Sequence, residues 1–169
     1  LIKIRKKFNI IYRNQTTKES IEKIKIYRRN CKKNGISFYI ANDTSLLSKV
    51  KADGLYISAY NRDLLLNRYN KKGYHVIGSA HNQNEINLKI KQGCKKIIFS
   101  RLFQTNYSNK EGYLGVQKYN IISKRSPVEL IPLGGINFKN LGKLKTVKSE
   151  SFASLSAIKK KPAKIINRL

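Results

Sequence analysis

Three tripeptides, Lys33-Asn34-Gly35, Lys71-Lys72-Gly73 and Lys91-Gln92-Gly93, each close a lysine-bearing stretch of helical character and stand directly before an apolar run. A glycine just past the last helical residue accepts the left-handed backbone that ends a helix, so each tripeptide marks a helix stop and a strand start. The chain therefore repeats one unit: apolar strand, polar turn, helix, glycine, next strand. Right-handed crossovers of this kind keep every strand parallel and put helices over the sheet, which is why the strands are continuously apolar rather than alternating.

Taken in order, Phe8 to Tyr12 is the first strand, and Thr16-x-x-Glu19 reads as a capping box opening a helix with Ile21, Ile24, Tyr27 and Cys31 on one stripe. Strands follow at Ile36 to Ile40, Gly54 to Ile57, His75 to Ile77 and Lys96 to Phe99, with Asn82-x-x-Glu85 capping the helix before the last of these. A long loop from Ser100 to Gly115 leads to a helix around Tyr119 and Ile122, ended by Pro127. Two further stretches, Leu130 to Ile136 and Phe152 to Ile158, each read as a buried strand running into a small-residue turn that opens a helix. Seven units are one short of a closed barrel. The expected fold is thus α/β, a TIM (β/α)8-type barrel, as one domain over residues 1–169 whose first strand is missing, Leu1 to Lys7 being the tail of the preceding helix. A flavodoxin-like open sheet is the rival, and the lack of a glycine-rich first loop counts against it.

Composition narrows the partners. No apolar run approaches the roughly 18 residues of a membrane span, no signal-peptide cleavage site follows the basic start, and Met is absent altogether, as in an excerpt or a processed chain. Two cysteines, Cys31 and Cys94, do not make a disulfide framework, so a reducing, cytoplasmic setting is the default. A net charge of +27 welcomes anions. The lysines and arginines are spread along the whole length beside Ile, Asn and Tyr, without a recognisable binding module, so specific nucleic-acid binding is not the first reading.

In an α/β barrel the chemistry stands at the C-terminal ends of the strands. Those ends carry Arg13, Asn14 and Gln15; Asn42 and Asp43; Ser58 to Asn61; Ser79 to His81; Ser100 to Lys110; Gly134 and Gly135; and Leu155 and Ser156. The set is polar, cationic and rich in hydroxyls. It suits holding phosphorylated ligands better than acid-base work, which calls for paired carboxylates or a catalytic His or Lys. Gly134-Gly135 and Leu155-Ser156, after the last two strands, have the character of a phosphate cradle of backbone N–H groups. A tight turn and a helix cap are the structural alternatives for the same residues.

Five stretches in register, Ile40-Ala41-Asn42-Asp43, Ser79-Ala80-His81, Phe99 to Thr105 with Leu114-Gly115, Leu133-Gly134-Gly135-Ile136 and Ser154 to Ile158, give the chain an order of motifs that resembles the thiamine phosphate synthase/TenI family. The resemblance implies a (β/α)8 barrel that joins a pyrimidine methyl diphosphate to a thiazole phosphate with loss of Mg²⁺-bound pyrophosphate. It implies that Arg13, Asn42 and Ser79 contact the diphosphate, that Asp43 is the first Mg²⁺ ligand and Asn61 stands at the second, that Lys110 is the loop lysine, and that Thr105, Gly134, Gly135, Leu155 and Ser156 hold thiazole phosphate. The chain departs from the pattern at Asn14, Gln15, Tyr107 and Asn61, the last a neutral ligand in place of an aspartate. Arg101 stands where the TenI tautomerases carry a histidine, and His81 is an ordinary loop residue in this likeness. A phosphate-ligand-binding or regulatory barrel of the same family is the second reading, a basic RNA-binding protein the third. The implied partners are the two small phosphorylated substrates, with no membrane; a homo-oligomer is compatible with the sequence.

Overall fold

The computed structural model describes residues 9–13, 19–105 and 112–154. Its strands are β1 (Asn9–Tyr12), β2 (Ser37–Ala41), β3 (Gly54–Ile57), β4 (His75–Ala80), β5 (Lys96–Ser100) and β6 (Glu129–Leu133). The helices between them are α1 (Ile21–Lys33), α2 (Thr44–Lys49), α3 (Asn67–Lys71), α4 (Gln83–Lys91) and α5 (Gly115–Arg125), with short 3₁₀ segments at Leu64–Leu66 and Leu141–Thr146. Strand order in the sheet equals chain order, β1 to β6, and every pair is parallel. A sequential, all-parallel sheet with helices along it is an arc of a barrel rather than a doubly wound sheet, whose strand order reverses.

Of the seven expected strands, six form among the described residues, and Ala153 contributes a single parallel bridge to Leu133 through its N–H on Pro132 O at 2.9 Å. The glycine stops are where the sequence puts them: Gly35, Gly73 and Gly93 all have positive φ, at 67°, 83° and 82°. The first helix starts later than read, at Ile21, with Ser20 as its cap, its hydroxyl accepting from the Lys23 amide at 3.3 Å. Glu19 is held instead by the Tyr12 and Tyr27 hydroxyls and by Lys23, and Thr16 lies outside the described residues.

Alternation along the strands separates two cores. Phe38, Ile40, Leu55, Ile57, Val76, Ile97, Phe99 and Leu130 face the helices and pack with Ile24, Cys31, Leu47, Ile86 and Tyr119. Tyr39, Tyr56, Ile77 and Ile98 share the other face, inside the arc, with Ile11, Ala41, Ile131 and Leu133 against them. Both cysteines are buried and free, Cys31 as the helical stripe requires. No helix of the described residues is long and apolar enough to cross a membrane.

Candidate functional site

Parallel strands end on one rim, so the residues that follow them are neighbours whatever their distance in sequence. Arg13 follows β1, Asn42 follows β2, Ser58 follows β3, Ser79 stands in the last turn of pleat of β4, Arg101 follows β5 and Gly134 follows β6. Three linked groups occupy this rim.

The first joins β1, β3 and β4. The Tyr56 hydroxyl donates to Ser79 Oγ at 2.8 Å, a buried bond, and the Arg13 guanidinium lies over the Tyr56 ring, 5.8 Å from its centroid. Arg13 and Ser79 are thus connected through a tyrosine that sequence reasoning did not single out. The signal for it was available: in β3, Tyr56 sits two residues beyond Gly54 and so shares the inward face.

The second group is centred on Asn42, whose backbone is left-handed at φ 57°. Its amide nitrogen donates to Ser58 Oγ at 2.8 Å, and its oxygen accepts from the Ser58 N–H at 3.0 Å and from Asn61 Nδ2 at 3.4 Å. Asn tolerates this conformation because its short side chain bonds locally. Asp43 caps α2, its Oδ1 accepting from the Leu46 amide at 2.8 Å. Asn61 Oδ1 accepts from the Asp63 amide at 2.9 Å, so the amide oxygen expected at the second metal position is turned into its own loop. That loop is tied from beneath by two fully buried polar residues of the next unit: Lys89 Nζ donates to Asn61 O at 2.7 Å and to Gln92 Oε1 at 2.8 Å, and Gln92 Nε2 donates to Asp63 O at 2.9 Å. Burial pushes the Lys89 pKa down, and these acceptors are what keep an ammonium tolerable there.

The third group joins β5 and β6. Arg101 Nη1 donates to Thr105 Oγ1 at 3.0 Å. The loop from Arg101 to Gln104 is zipped to β6 by Leu102 N on Leu133 O at 2.9 Å and Phe103 N on Gly134 O at 3.0 Å. Gly134 and Gly135 have φ of 102° and 68°. A methyl on Gly135 would stand 2.3 Å from Gln104 O, and one on Gly134 would stand 3.0 Å from the Arg101 side chain. Close backbone approach is real here, but the partner it serves is the β5 loop. The stretch after Gly135 does not open an α-helix as read: turns at 138–140 lead to the 3₁₀ segment Leu141–Thr146, so no helix macrodipole points at the glycines. Asn137 and Asn140 cap Gly135 O instead, at 3.1 and 2.7 Å. Thr105, Gly134 and Gly135 are brought together, with Arg101 as the cation among them.

His81 is bonded within the α4 cap. The Asn82-x-x-Glu85 box forms, with Asn82 Oδ1 on the Glu85 amide at 2.9 Å, and Glu85 Oε2 takes the His81 N–H at 2.7 Å and its ring Nδ1 at 3.0 Å. Burial opposes the Glu85 charge, but the bonds from His81 and Asn82 outweigh it and lower its pKa. Leu155, Ser156 and Lys110, together with Asn14, Gln15 and Tyr107, lie outside the described residues. Among the described residues no three His, Cys, Asp or Glu side chains gather as a metal site. Of the two carboxylates adjoining the Asn42 group, Asp63 accepts from the Leu65 amide at 2.9 Å and Asp43 from the Leu46 amide, so a hard cation would fit beside Asp43 with a ligand's own phosphate oxygens completing its shell.

A family model described as thiamine monophosphate synthase matches residues 1–158. A thiamine-phosphate synthase of Prochlorococcus marinus subsp. pastoris is 31% identical over 129 residues, covering 76% of this chain and 36% of the relative. One from Clostridium perfringens is 26% identical over 147 residues, covering 86% of this chain and 71% of the relative. The chain thus spans about a third of the length of the first and under three quarters of the second. Among solved structures, a thiamine phosphate pyrophosphorylase from Pyrococcus furiosus superposes with a TM-score of 0.69 at 18% identity, over 87% of this chain and 70% of that one, a likeness of fold.

Proposed function

Because the chain belongs to the thiamine monophosphate synthase family, we propose that it joins a pyrimidine methyl diphosphate to a thiazole phosphate, releasing pyrophosphate. The six-strand arc is read as part of an eight-stranded barrel of that kind. The observation that carries the reading is the pairing of Arg13 and Ser79 through Tyr56 on one side of the rim with Arg101 and Thr105 on the other. Two cation-and-hydroxyl pairs suit two phosphorylated ligands.

In the proposed transfer the bond from the pyrimidine methylene to the diphosphate oxygen breaks, both electrons leaving with pyrophosphate. The thiazole nitrogen then shares its lone pair with the pyrimidinyl cation. No proton has to move, so the step asks for no acid–base pair. The work of the protein is to stabilise the departing charge and hold the two rings together. Arg13 would supply charge-assisted bonds to the diphosphate, with Ser79 and Asn42 as further donors. Arg101 and Thr105 would hold the thiazole phosphate beside Gly134 and Gly135. Asp43 would hold Mg²⁺ jointly with the diphosphate oxygens, and a bound Mg²⁺ would neutralise the leaving pyrophosphate.

A second reading, a phosphate-ligand-binding barrel without turnover, is favoured by one observation: Asn61 Oδ1, a neutral oxygen where the resemblance calls for an aspartate, already accepts from the Asp63 amide at 2.9 Å and from Gln92 Nε2 at 3.4 Å, so both its lone pairs are engaged. Incubation with both phosphorylated substrates and Mg²⁺, followed by assay for thiamine phosphate and an equal amount of pyrophosphate, separates the two. Product formation establishes the transferase. A raised Tm with thiazole phosphate and no product would replace it by the binding reading.

A further inference from the structure

We propose that the end of the sheet opposite the candidate site is a binding face for single-stranded nucleic acid. Some of the cations that look evenly scattered along the chain are gathered in space, while others, Lys23, Arg62, Lys118 and Lys139 among them, are exposed elsewhere. Each repeat unit ends its helix with lysine or arginine, and parallel strands bring every such ending to the same edge. The five turns leaving α1 to α5 each carry two or three exposed cations; Lys33, Lys51, Lys72, Lys95 and Arg125 mark them in order. The acids set among them, Asp53 and Glu129, are each spent on one ion pair, with Arg28 at 2.6 Å and Lys96 at 2.6 Å. Among the described residues Lys96 is the one cation of these five turns that pairs with a carboxylate. A helix C-terminus favours a cation in its last turn, which accounts for part of this. It does not account for Lys51, Lys95 or Lys96, which stand beyond the helix ends.

A second feature, one of shape, lies on the same face. A cleft of about 190 Å³ opens at the starts of β4 and β5, with Tyr39, Tyr74, His75, Lys95 and Lys96 in its wall. Gly54 makes room for the Tyr39 ring, since a methyl there would stand 2.5 Å from it, and Tyr74 is braced by the Tyr69 ring at 6.0 Å. Tyr39 is buried and forms the packed floor, while Tyr74 is half-buried beside the exposed Lys95 and Lys96; one accessible ring next to cations is an arrangement that can stack an unpaired base while the flanking phosphates meet the lysines. A duplex keeps its bases inside and an anionic bilayer offers none, so the cleft argues for a single strand. This face is separate from the proposed transferase rim, and neither reading depends on the other.

The test is fluorescence anisotropy of the full chain with labelled oligo(U) and oligo(dT) of roughly 16 nucleotides, alongside a duplex of equal length and phosphatidylserine vesicles, at several salt concentrations. The expected result is preference for the single strands, with log affinity falling linearly against log salt, and a slope reduced by roughly 0.7 for each of Lys72→Gln and Lys95→Gln. Tyr74→Ala should weaken binding by roughly ten- to a hundredfold. If that variant unfolds, the two lysine variants carry the test, with Arg62→Gln and Lys139→Gln as controls expected to change nothing. No binding, equal or better binding of duplex or vesicles, or a salt slope indifferent to Lys72 and Lys95 would each overturn the proposal.

Discussion

The ammonium of Lys89 lies 2.7 Å from the backbone carbonyl of Asn61, reaching from α4 beneath β4 to the loop after β3. Its stem runs over Gly78, where a methyl would stand 3.0 Å from two of its carbons, so the glycine in β4 is what lets a lysine cross the layer. Lys89→Ala should lower stability by about 3 kcal/mol, since it leaves a cavity and buried acceptors without their donor. Lys89→Met keeps the stem and should cost about half as much. Urea unfolding measures both. If the loop matters to the rim, the KM for the pyrimidine diphosphate rises in either variant while Tm recovers in the second; a KM unchanged in both confines Lys89 to a structural role.

Two glycines with nearly equal φ should respond differently to alanine. Gly35, at 67°, has open space around it, so Gly35→Ala meets only the left-handed penalty of about 1–2 kcal/mol. Gly135, at 68°, also faces Gln104 O at 2.3 Å, and Gly135→Ala should cost about 3 kcal/mol or more as the β5 loop is displaced. Equal losses in Tm would show that the two loops are not packed together in solution.

Tyr56→Phe deletes the buried bond to Ser79 and keeps the ring under Arg13. The expected loss is about 1 kcal/mol of stability, with pyrophosphate affinity falling severalfold as Ser79 loses its orientation. Tyr56→Leu removes the support of Arg13 as well and should weaken pyrophosphate further, by about 0.5–1 kcal/mol. Isothermal titration of pyrophosphate into each variant gives the comparison, and indifference of both would remove Tyr56 from the site.

Alkaline pH should destabilise the fold by a calculable sign. Burial pushes the Cys94 thiol up to about 12 and the Tyr119 hydroxyl likewise to about 12. Groups raised on folding give stability that is complete below their unfolded values, 9.0 and 10.0, and lost as pH climbs through the folded ones. Unfolding free energy should therefore decline above about pH 9, by at most about 1.4 kcal/mol per pH unit for each group. Lys89, lowered by burial, contributes in the opposite sense below its unfolded value of 10.5. Cys94→Ala removes one declining contribution, so its urea midpoint should fall less steeply between about pH 9 and 11 than that of the unaltered chain.

Sequence alone determined the repeat: where helices stop, which strands are covered on both faces, and hence that the strands are parallel and their ends form one rim. These are local facts, because a glycine that must be left-handed and a continuous apolar run announce themselves without their neighbours. Tertiary structure decided what the side chains at those ends touch. Tyr56 looks like any core aromatic until Arg13 and Ser79 are seen on either side of it, and nothing in the sequence of Gly134-Gly135 shows that the backbone of Phe103 and Gln104 packs against Gly135. Charge shows the difference most plainly. The lysines that close successive helices stand far apart in sequence, and only the parallel order of the strands brings those turns to one end of the sheet.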